Sequence, residues 1–293
     1  MNTKDLAYFQ QLIISKNFSK VAEIFDVRQP TITTAIQRLE SEFNARLVIR
    51  DRVHHSLTIT PSGEQLAEHA TRILRELDIA HQEIQNLVQN QITLGLPPII
   101  ENYYFPKIAA QLKAKRLLRN IVTMEGGSVE LRKALLAGKM DMALLGSIEP
   151  LSYANLIADE FDRHPFYIYV SKDHPLADRK RVFFSELRHD EFVLFESSFV
   201  HNQAFNKLTR RNHFRPDVVF RSNDTHIIMK LVAQNVGITY LTDITDHQDE
   251  VVRLELMDEE QPEFITSIVY RTSHILTPAQ LQLLTIMHAT LKG

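Results

Sequence analysis

An apolar heptad repeat between Leu66 and Leu87 constrains the fold more than any other feature of the chain. Its apolar positions are separated by steps of 4, 3, 4, 3, 4 and 3 residues, which is the spacing of a coiled-coil seam. Thr60 and Pro61 are a typical helix start. The pattern predicts a helix over 61–90 and, because such a seam needs a second helix, a dimer; the alternative is one helix packed on its own domain. The predicted dimer seam consists of Leu66, Ala70, Ile73, Leu77, Ala80, Ile84 and Leu87.

The residues before this helix predict a helix-turn-helix. Leu6, Phe9 and Ile13 indicate one amphipathic helix, and Ser19 is expected to cap a second, short one. After a tight connection, the segment "RQPTITTAIQRLE" (28–40) has a proline suited to a first helical turn and apolar residues at helical spacing. Two short helices joined by about three residues form this motif.

Three threonines near the start of the second helix, at 31, 33 and 34, favour a DNA-reading role. Threonine is a mediocre helix former, but its hydroxyl and methyl groups suit base edges in the major groove. In a helix-turn-helix, the N-terminal residues of the second helix meet those edges. The alternative is a solvated helix face with incidental threonines. The predicted contacts on this helix are Arg28, Gln29, Pro30, Thr31, Thr33, Thr34, Gln37 and Arg38.

The next segment, "RLVIRDRVHHSLTITPSG" (46–63), predicts a β-hairpin with a basic tip. Two short apolar pieces flank the polar stretch "RDRVHHS". As the wing of a winged helix-turn-helix domain over 1–60, it would bring Arg50 and Arg52 to phosphates or to the minor groove. The alternative is an exposed hairpin with solvated charges.

Five short motifs follow one another in this N-terminal third: Phe18-Ser19, Gln29-Pro30, Leu39-Glu40, Arg46-Leu47 and Thr60-Pro61-Ser62-Gly63. Together they resemble the LysR-type transcriptional regulators, and the opening is also similar to regulators of malolactic fermentation genes in lactic acid bacteria. The resemblance implies a tetramer built from two dimers that bends DNA, with RNA polymerase as a further partner. Three departures from the family pattern affect the expected base contacts. Thr34 stands where arginine is common, and Arg28 stands where serine is usual. The wing loop is about two residues longer than usual and lacks its common glycine.

The remaining residues alternate between short β-rich runs and amphipathic segments, which predicts parallel sheets with crossover helices. The resemblance implies an effector-binding domain over 91–293 with two lobes like those of periplasmic binding proteins. Lobe one would take about 92–162 and 266–293, and lobe two about 163–265. Strands are expected near 92–96, 121–124, 140–145, 166–171, 192–195, 217–221, 237–241 and 264–271, and helices near 103–115, 128–137, 200–212, 224–234 and 277–291.

Residues at the ends of these strands are candidate effector contacts. Ser128, in "EGGS", can cap a helix and leave N–H groups facing an anion, although an ordinary turn is the alternative. Arg221 can hold a carboxylate through two parallel hydrogen bonds, and its alternative is a salt bridge. We therefore expect a small carboxylate effector, such as malate. The candidate effector-binding residues are Pro98, Ile99, Ile100, Gly127, Ser128, Ser197, Ser198, His201, Asn202 and Arg221.

Composition and missing motifs exclude several other classes. The chain has no cysteine, which removes disulfides, thiolate metal sites and cysteine nucleophiles. It has no phosphate-binding loop and none of the common hydrolase or zinc-protease motifs, so we expect no enzyme activity, no cofactor and no metal. No signal peptide or membrane span is predicted, which favours the cytoplasm.

Charge is distributed unevenly along a chain whose net charge is −3. Residues 1–60 carry eight Lys or Arg against six acids, whereas residues 243–263 carry nine acids and one arginine. A solute-binding protein would not account for the winged helix, and an architectural DNA binder would not account for an α/β domain of ~200 residues. The sequence therefore predicts a sequence-specific transcriptional regulator, controlled by a small molecule and acting on double-stranded DNA.

Overall fold

A computed structural model describes residues 1–51, 56–245 and 248–291. The chain divides into two compact units, Met1–Ile84 and Gln85–Gly293. Among the described residues, no helix has the length and apolar character needed to cross a membrane.

Unit one is a helical domain with a β-hairpin. The side of the third helix that carries Ile32, Ile36 and Leu39 is buried against the first two helices, where Phe9 and Leu12 complete the core. The elements are α1 (Thr3–Ser15), α2 (Phe18–Ile24), α3 (Gln29–Glu42), β1 (Val48–Asp51), β2 (Ser56–Ile59) and α4 (Pro61–Gln89), of which α4 continues into unit two.

Local hydrogen bonds define where these helices begin. The Thr60 hydroxyl accepts a bond from the Gly63 N–H at 3.0 Å, as expected for the residue that caps α4. The prediction that Ser19 caps α2 is wrong, because Asn17 has the extended backbone of a cap and its side chain accepts from the Lys20 N–H at 3.0 Å. Ser19 lies inside the first turn, where its backbone is already helical.

Unit two is an α/β domain whose large sheet is mixed. Strand β3 is parallel to β4 and β5, as predicted, but β12 is antiparallel to β5 and β6. The strands are β3 (Ile92–Leu96), β4 (Ile121–Glu125), β5 (Met142–Ser147), β6 (Leu156–Ser171), β7 (Arg181–Val182), β8 (Glu191–Phe195), β9 (Asp217–Ser222), β10 (Thr239–Thr242), β11 (Val251–Leu256) and β12 (Glu263–Arg271). The helices are α5 (Pro98–Ala114), α6 (Ser128–Leu136), α7 (Val200–Arg211), α8 (Thr225–Ala233) and α9 (Pro278–Leu291).

Strand β6 connects the two lobes of this unit. Its first half pairs with β12, and its second half pairs with β10 and β11. Lobe one is built around β3, β4, β5 and β12, and lobe two around β8, β9, β10 and β11. The sequence predicted only residues 166–171 of β6, because the first ten residues, "LIADEFDRHP", are too rich in charge to resemble a buried strand.

Helix α5 begins five residues earlier than the sequence indicated. Pro98 stands in its first turn, where a proline needs no hydrogen-bond donor. Ile99 and Ile100 are consequently helical, and the Ile100 side chain is fully buried in the core. Ile100 therefore has no side-chain surface to offer an effector, contrary to its place among the candidate contacts.

Candidate DNA-binding surface and effector cleft

The face of α3 opposite the core of unit one is polar and exposed. Ile32, Ala35, Ile36 and Leu39 are buried on one side of the helix. Thr33 is half-buried at the border between the two faces. The exposed side carries most of the predicted DNA contacts, namely Arg28, Gln29, Pro30, Thr31, Thr34, Gln37 and Arg38.

The first strand of the hairpin is attached to this helix. The Arg50 guanidinium lies 3.5 Å from the centre of the Phe18 ring, and its Nη2 donates to the Thr33 hydroxyl at 3.2 Å. A groove with a volume of about 430 Å³ lies between α3 and β1, and Gln37 and Arg46 are among its lining residues. The predicted tip contact Arg52 lies outside the described residues.

Arg38 has an internal partner. Its Nε and Nη2 donate to the two carboxylate oxygens of Asp5 at 3.1 Å and 2.5 Å. Asp5 is fully buried, and its side chain also accepts from the Asn2 N–H at 3.1 Å. The prediction that Arg38 contacts DNA omitted this bond, which ties the side chain to α1.

The predicted dimer seam divides into two parts. Leu66 and Ala70 are buried in the core of unit one, which is the arrangement expected of a helix packed on its own domain. Further along α4, Leu77 is half-buried and Ala80 exposed, while Ile73, Ile84 and Leu87 are 43%, 59% and 59% exposed. An apolar groove of about 720 Å³ runs beside the start of α4, and its lining includes Leu6, Phe43, Leu47, Leu66 and Ile73.

A cleft of about 360 Å³ lies between the lobes, where α6 and α7 begin. Ser147 lines this cleft, and its hydroxyl is buried without a hydrogen-bond partner. The prediction that Ser128 caps α6 is wrong, because its hydroxyl accepts from the Gly146 N–H at 2.9 Å and Gly127 occupies the cap position. No side chain caps α6, and the first N–H groups of a helix favour an anion.

Arg132 supplies a positive charge to the same cleft. Its guanidinium lies 4.5 Å from the centre of the Tyr153 ring, and its Nη1 contacts the Tyr153 hydroxyl. Arg132 was not among the predicted site residues, although it follows Ser128 by four residues and therefore lies one turn along α6 on the same face. Glu149, Ser152 and Gln203 complete the polar lining.

The lobes approach each other closely at the edge of the cleft. A Cβ atom built on Gly127 would lie 2.7 Å from the Ser198 carbonyl oxygen. Lys207 and Glu149, from opposite lobes, are 3.9 Å apart and well exposed. Of the two candidate serines, Ser198 is half-buried at the lobe contact and Ser197 is exposed.

Two further candidate effector contacts, Arg221 and Asn202, hold the loop after β8 in place. Arg221 Nη1 donates to the Phe195 carbonyl and to Asn202 Oδ1, both at 2.9 Å. Asn202 Nδ2 in turn donates to the Phe195 carbonyl at 2.8 Å. Arg221 and Asn202, both among the candidate effector contacts, therefore hold this loop through Arg221 Nη1 and the Asn202 amide.

His201 is a buried, uncharged group. Its ring contacts the rings of Phe166, Phe195 and Phe264, and burial lowers the pKa of His201 to about 3. Its Nε2 has no hydrogen-bond partner. The ring therefore belongs to the aromatic core beside the cleft.

A polar cluster that the sequence did not indicate lies where β6 and β12 pass between the lobes. His164 Nε2 is 2.5 Å from the Tyr104 hydroxyl, and His164 Nδ1 is 2.8 Å from Asp243 Oδ1. The Tyr104 hydroxyl also donates to Asp162 at 2.9 Å, and burial raises the pKa of Tyr104. These residues are too far apart in sequence for a local pattern to join them.

Two family descriptions cover nearly the whole chain. Residues 3–64 match "Bacterial regulatory helix-turn-helix protein, lysR family", and residues 85–292 match "LysR substrate binding domain". The chain belongs to the LysR family. Membership confirms a LysR-type DNA-binding regulator with an effector-binding domain, and it confirms the prediction of a regulator rather than an enzyme.

Individual proteins of known sequence or structure are also similar to this chain. The chain is 34% identical, over 98% of each protein, to the malolactic fermentation system transcriptional activator of Lactococcus lactis subsp. lactis (strain IL1403). It matches the structure of HinK, a LysR family regulator from Pseudomonas aeruginosa, with a TM-score of 0.57 at 20% identity, covering 99% of this chain and 98% of that one. The effector-binding domain of QuiR in complex with shikimate gives 0.60 at 16% identity, covering 69% and 97%. Both structures show the shared fold.

Proposed function

We propose that this LysR-type regulator reads a specific operator through the exposed face of α3 and the wing. The observation that carries the proposal is the polarity of α3, which is apolar where it meets the core and polar where it is exposed. The arginine-bearing hairpin beside it suits phosphate contact. The proposed contacts are Arg28, Gln29, Pro30, Thr31, Thr33, Thr34 and Gln37 on α3, with Arg50 and Arg52 on the wing.

The proposed effector is a small carboxylate bound in the cleft between the lobes. Three features of the cleft favour an anion: the uncapped start of α6, the guanidinium of Arg132 and the unpartnered hydroxyl of Ser147. The name of the Lactococcus relative makes malate the first compound to test. The same name favours transcriptional activation. We further propose RNA polymerase as a partner and the cytoplasm as the place of action.

The proposed assembly is a dimer, and two such dimers form a tetramer. The exposed residues of the seam, Ile73, Ile84 and Leu87, and the apolar groove beside α4 suit a second copy. In unit two, Val122 lies exposed on β4, an edge strand of the large sheet. Phe220 is exposed on β9, which pairs only with β8 in the described part of the chain. Such edges are suited to pairing between copies.

A ligand-stabilisation experiment on the full chain tests the effector proposal. The thermal midpoint is measured with malate, succinate and the dimethyl ester of malate, because a ligand that binds the native state raises it. We expect a rise with malate, none with the ester, and a smaller rise for Arg132→Gln. A matched variant outside the cleft, Arg210→Gln, should behave like the wild type. Equal shifts with acid and ester would contradict carboxylate recognition.

DNA binding is tested separately. The full chain selects duplexes from a random library, and the selected duplex is then compared with a random one at two salt concentrations. Tighter binding to the selected duplex with a steep salt dependence supports the proposal. Equal affinity for both duplexes would contradict a sequence-specific regulator, whatever the effector result.

A further inference from the structure

One edge of lobe one carries a dense group of exposed cations. The parallel strands β3, β4 and β5 begin at this edge, as their register shows. Helices α5 and α6 run back towards it and end there, before β4 and β5 begin. The exposed cations, which we call the basal patch, are Lys113, Lys115, Arg116, Arg119, Lys133 and Lys139.

The chain around the first four of these residues is compact and well fixed. Arg116 takes the left-handed conformation (φ 59°), which reverses the chain after α5, and the Leu117 N–H then bonds to the Leu112 carbonyl at 2.9 Å. A short 3-10 turn at Leu118–Asn120 leads into β4. Four cations are thereby presented within seven residues, on backbone with defined hydrogen bonds.

Carboxylates do not neutralise the basal patch. Within the described part of the chain, none of its six side chains forms an ion pair with an acid. Between residues 113 and 141 the acids are Glu125, Glu130 and Asp141. Glu125 ends β4 and Glu130 is in the first turn of α6, so both lie towards the opposite edge.

The third acid, Asp141, is buried at the basal edge itself. It accepts from the Thr93 N–H at 2.7 Å and from the side chain of Asn86, and it lies 3.7 Å from His274. Its charge is therefore directed into the protein, and the exposed charge of this edge is positive although the whole chain carries −3.

The basal edge is also where the DNA-binding unit is attached. Strand β3 starts at Ile92, three residues after α4 ends at Gln89. The side chain of Asn120, next to Arg119, donates to the Asn90 carbonyl at 2.6 Å.

Helix termini do not explain the patch fully. Cations near the C-terminal end of a helix interact favourably with its dipole. This interaction accounts for the positions of Lys113 and Lys133, which lie in the last turns of α5 and α6. Lys115, Arg116, Arg119 and Lys139 lie outside α5 and α6. A surface with this many unpaired cations suits a polyanion.

The other acidic partner to consider is a second copy of the chain, whose residues 243–263 are rich in acid. Several of those acids already have partners within the chain. Glu255 pairs with Arg181 at 2.7 Å, Glu260 with Arg211 at 3.5 Å and Glu263 with Arg163 at 3.1 Å. Charge complementarity therefore favours DNA over a second copy.

We propose that the basal patch is a second DNA-contacting surface, which binds the phosphate backbone of duplex flanking the sequence read by α3. Its contacts add affinity and salt dependence but no base specificity, because lysine and arginine bind phosphates of any sequence. The inference uses the DNA-binding activity of the family and is independent of the effector.

The test compares two duplexes that contain the same selected core. The short duplex is the core alone, and the long one carries 30 random base pairs on each side. Each phosphate contact contributes about 0.9 to the slope of log affinity against log salt. For the full-length wild type we expect a steeper slope on the long duplex. For Lys113→Gln/Lys115→Gln/Arg116→Gln/Arg119→Gln we expect a slope lower by about 3.6 on that duplex. Affinity should fall at least about ten-fold on the long duplex and less than about two-fold on the short one.

A matched variant controls for net charge. Lys172→Gln/Lys180→Gln/Arg210→Gln/Lys230→Gln removes four exposed cations from lobe two, and we expect it to bind both duplexes like the wild type. If the fourfold basal variant has a lower thermal midpoint, Arg116→Gln/Arg119→Gln replaces it, with an expected slope change of about 1.8.

Three results would overturn the proposal. The first is a wild type that binds both duplexes with the same affinity and slope. The second is an equal loss for the basal and control variants, which would indicate bulk charge. The third is a smaller mass for the basal variant without DNA in sedimentation, which would assign the patch to contact between copies. A chain that selects no duplex at all would instead count against the proposed DNA-reading function.

Discussion

The carboxylate of Glu40, near the end of α3, accepts a hydrogen bond from the backbone N–H of Leu47 at 2.9 Å. The same oxygen lies 3.4 Å from the Val48 nitrogen, at the start of β1. One side chain of the DNA-reading helix therefore holds the first strand of the wing in place.

Replacing Glu40 should loosen this joint. Glu40→Ala leaves two half-buried N–H groups without an acceptor, at a cost of about 1–3 kcal/mol in the free energy of unfolding. Affinity for a selected duplex should fall as well, because the wing is no longer held beside α3. Urea unfolding and DNA titration measure the two effects. Glu40→Gln keeps an acceptor oxygen and should lose less, so equal losses for both variants would exclude the hydrogen bond as the cause.

Thr33 and Arg52 should affect DNA binding in different ways. Thr33→Ala is expected to weaken a selected duplex more than a random one, because a hydroxyl on α3 serves base recognition. Arg52→Ala is expected to weaken both equally and to lower the salt slope by about one, as for the loss of a phosphate contact. Titrations at several salt concentrations separate the two. A change of sequence preference alone in Arg52→Ala would contradict the wing assignment.

The bond between Asp5 and Arg38 should make stability depend on pH. Burial alone raises the pKa of the Asp5 carboxyl, but the hydrogen bonds from Arg38 and from the Asn2 N–H outweigh it and the pKa is lowered. The stabilisation is therefore present above the unfolded pKa of about 3.9 and lost as the pH falls through the lower folded value. Asp5→Asn should cost about 1–3 kcal/mol at pH 7. Urea unfolding at pH 7 and pH 3 should show the difference from wild type shrinking in acid, and a constant difference would contradict this origin.

Gly127 should control how closely the lobes approach. The backbone of Ser198 leaves no room for a Cβ atom on Gly127, so Gly127→Ala must move the two loops apart. We expect weaker stabilisation by any carboxylate that binds the cleft, with little change in the thermal midpoint of the free protein. Gly126→Ala is the matched control, because the nearest atom to a Cβ there is a side-chain carbon at 3.5 Å. Equal behaviour of the two variants would show that the Gly127 contact does not limit binding.

His201 should make the protein sensitive to mild acid. Its folded pKa is about 3, whereas an unfolded histidine titrates near about 6.5, so unfolding takes up a proton between these values. Stability is therefore lost as the pH falls below about 6.5, by about 2 kcal/mol at pH 5. His201→Phe places a similar ring among Phe166, Phe195 and Phe264 and should lose less stability between pH 7 and pH 5. His189→Gln, at an exposed position, should retain the wild-type dependence.

The strands of unit two show which strands a local sequence pattern can predict. The short buried runs at β3 and β8 were predicted nearly to the residue, because apolar character marks a strand that is covered on both faces. The prediction missed β11, "VVRLEL", in which buried and exposed positions partly alternate. The early turns of α5 were missed because two prolines suggested a loop, and only packing showed that Ile99 and Ile100 lie in a helix.

The sequence by itself determined the elements whose signals are contained in a few turns of chain. These are the two-sided helix α3, the long helix α4 with its cap residue Thr60, and the motifs that lead to the LysR family. Tertiary structure decided which charged and polar side chains are committed to partners. Asp5 and Arg38 are 33 residues apart, and His164 and Tyr104 are 60 apart. The physical reason is that the choice between a ligand contact and an internal bond depends on groups that only folding brings within hydrogen-bond distance.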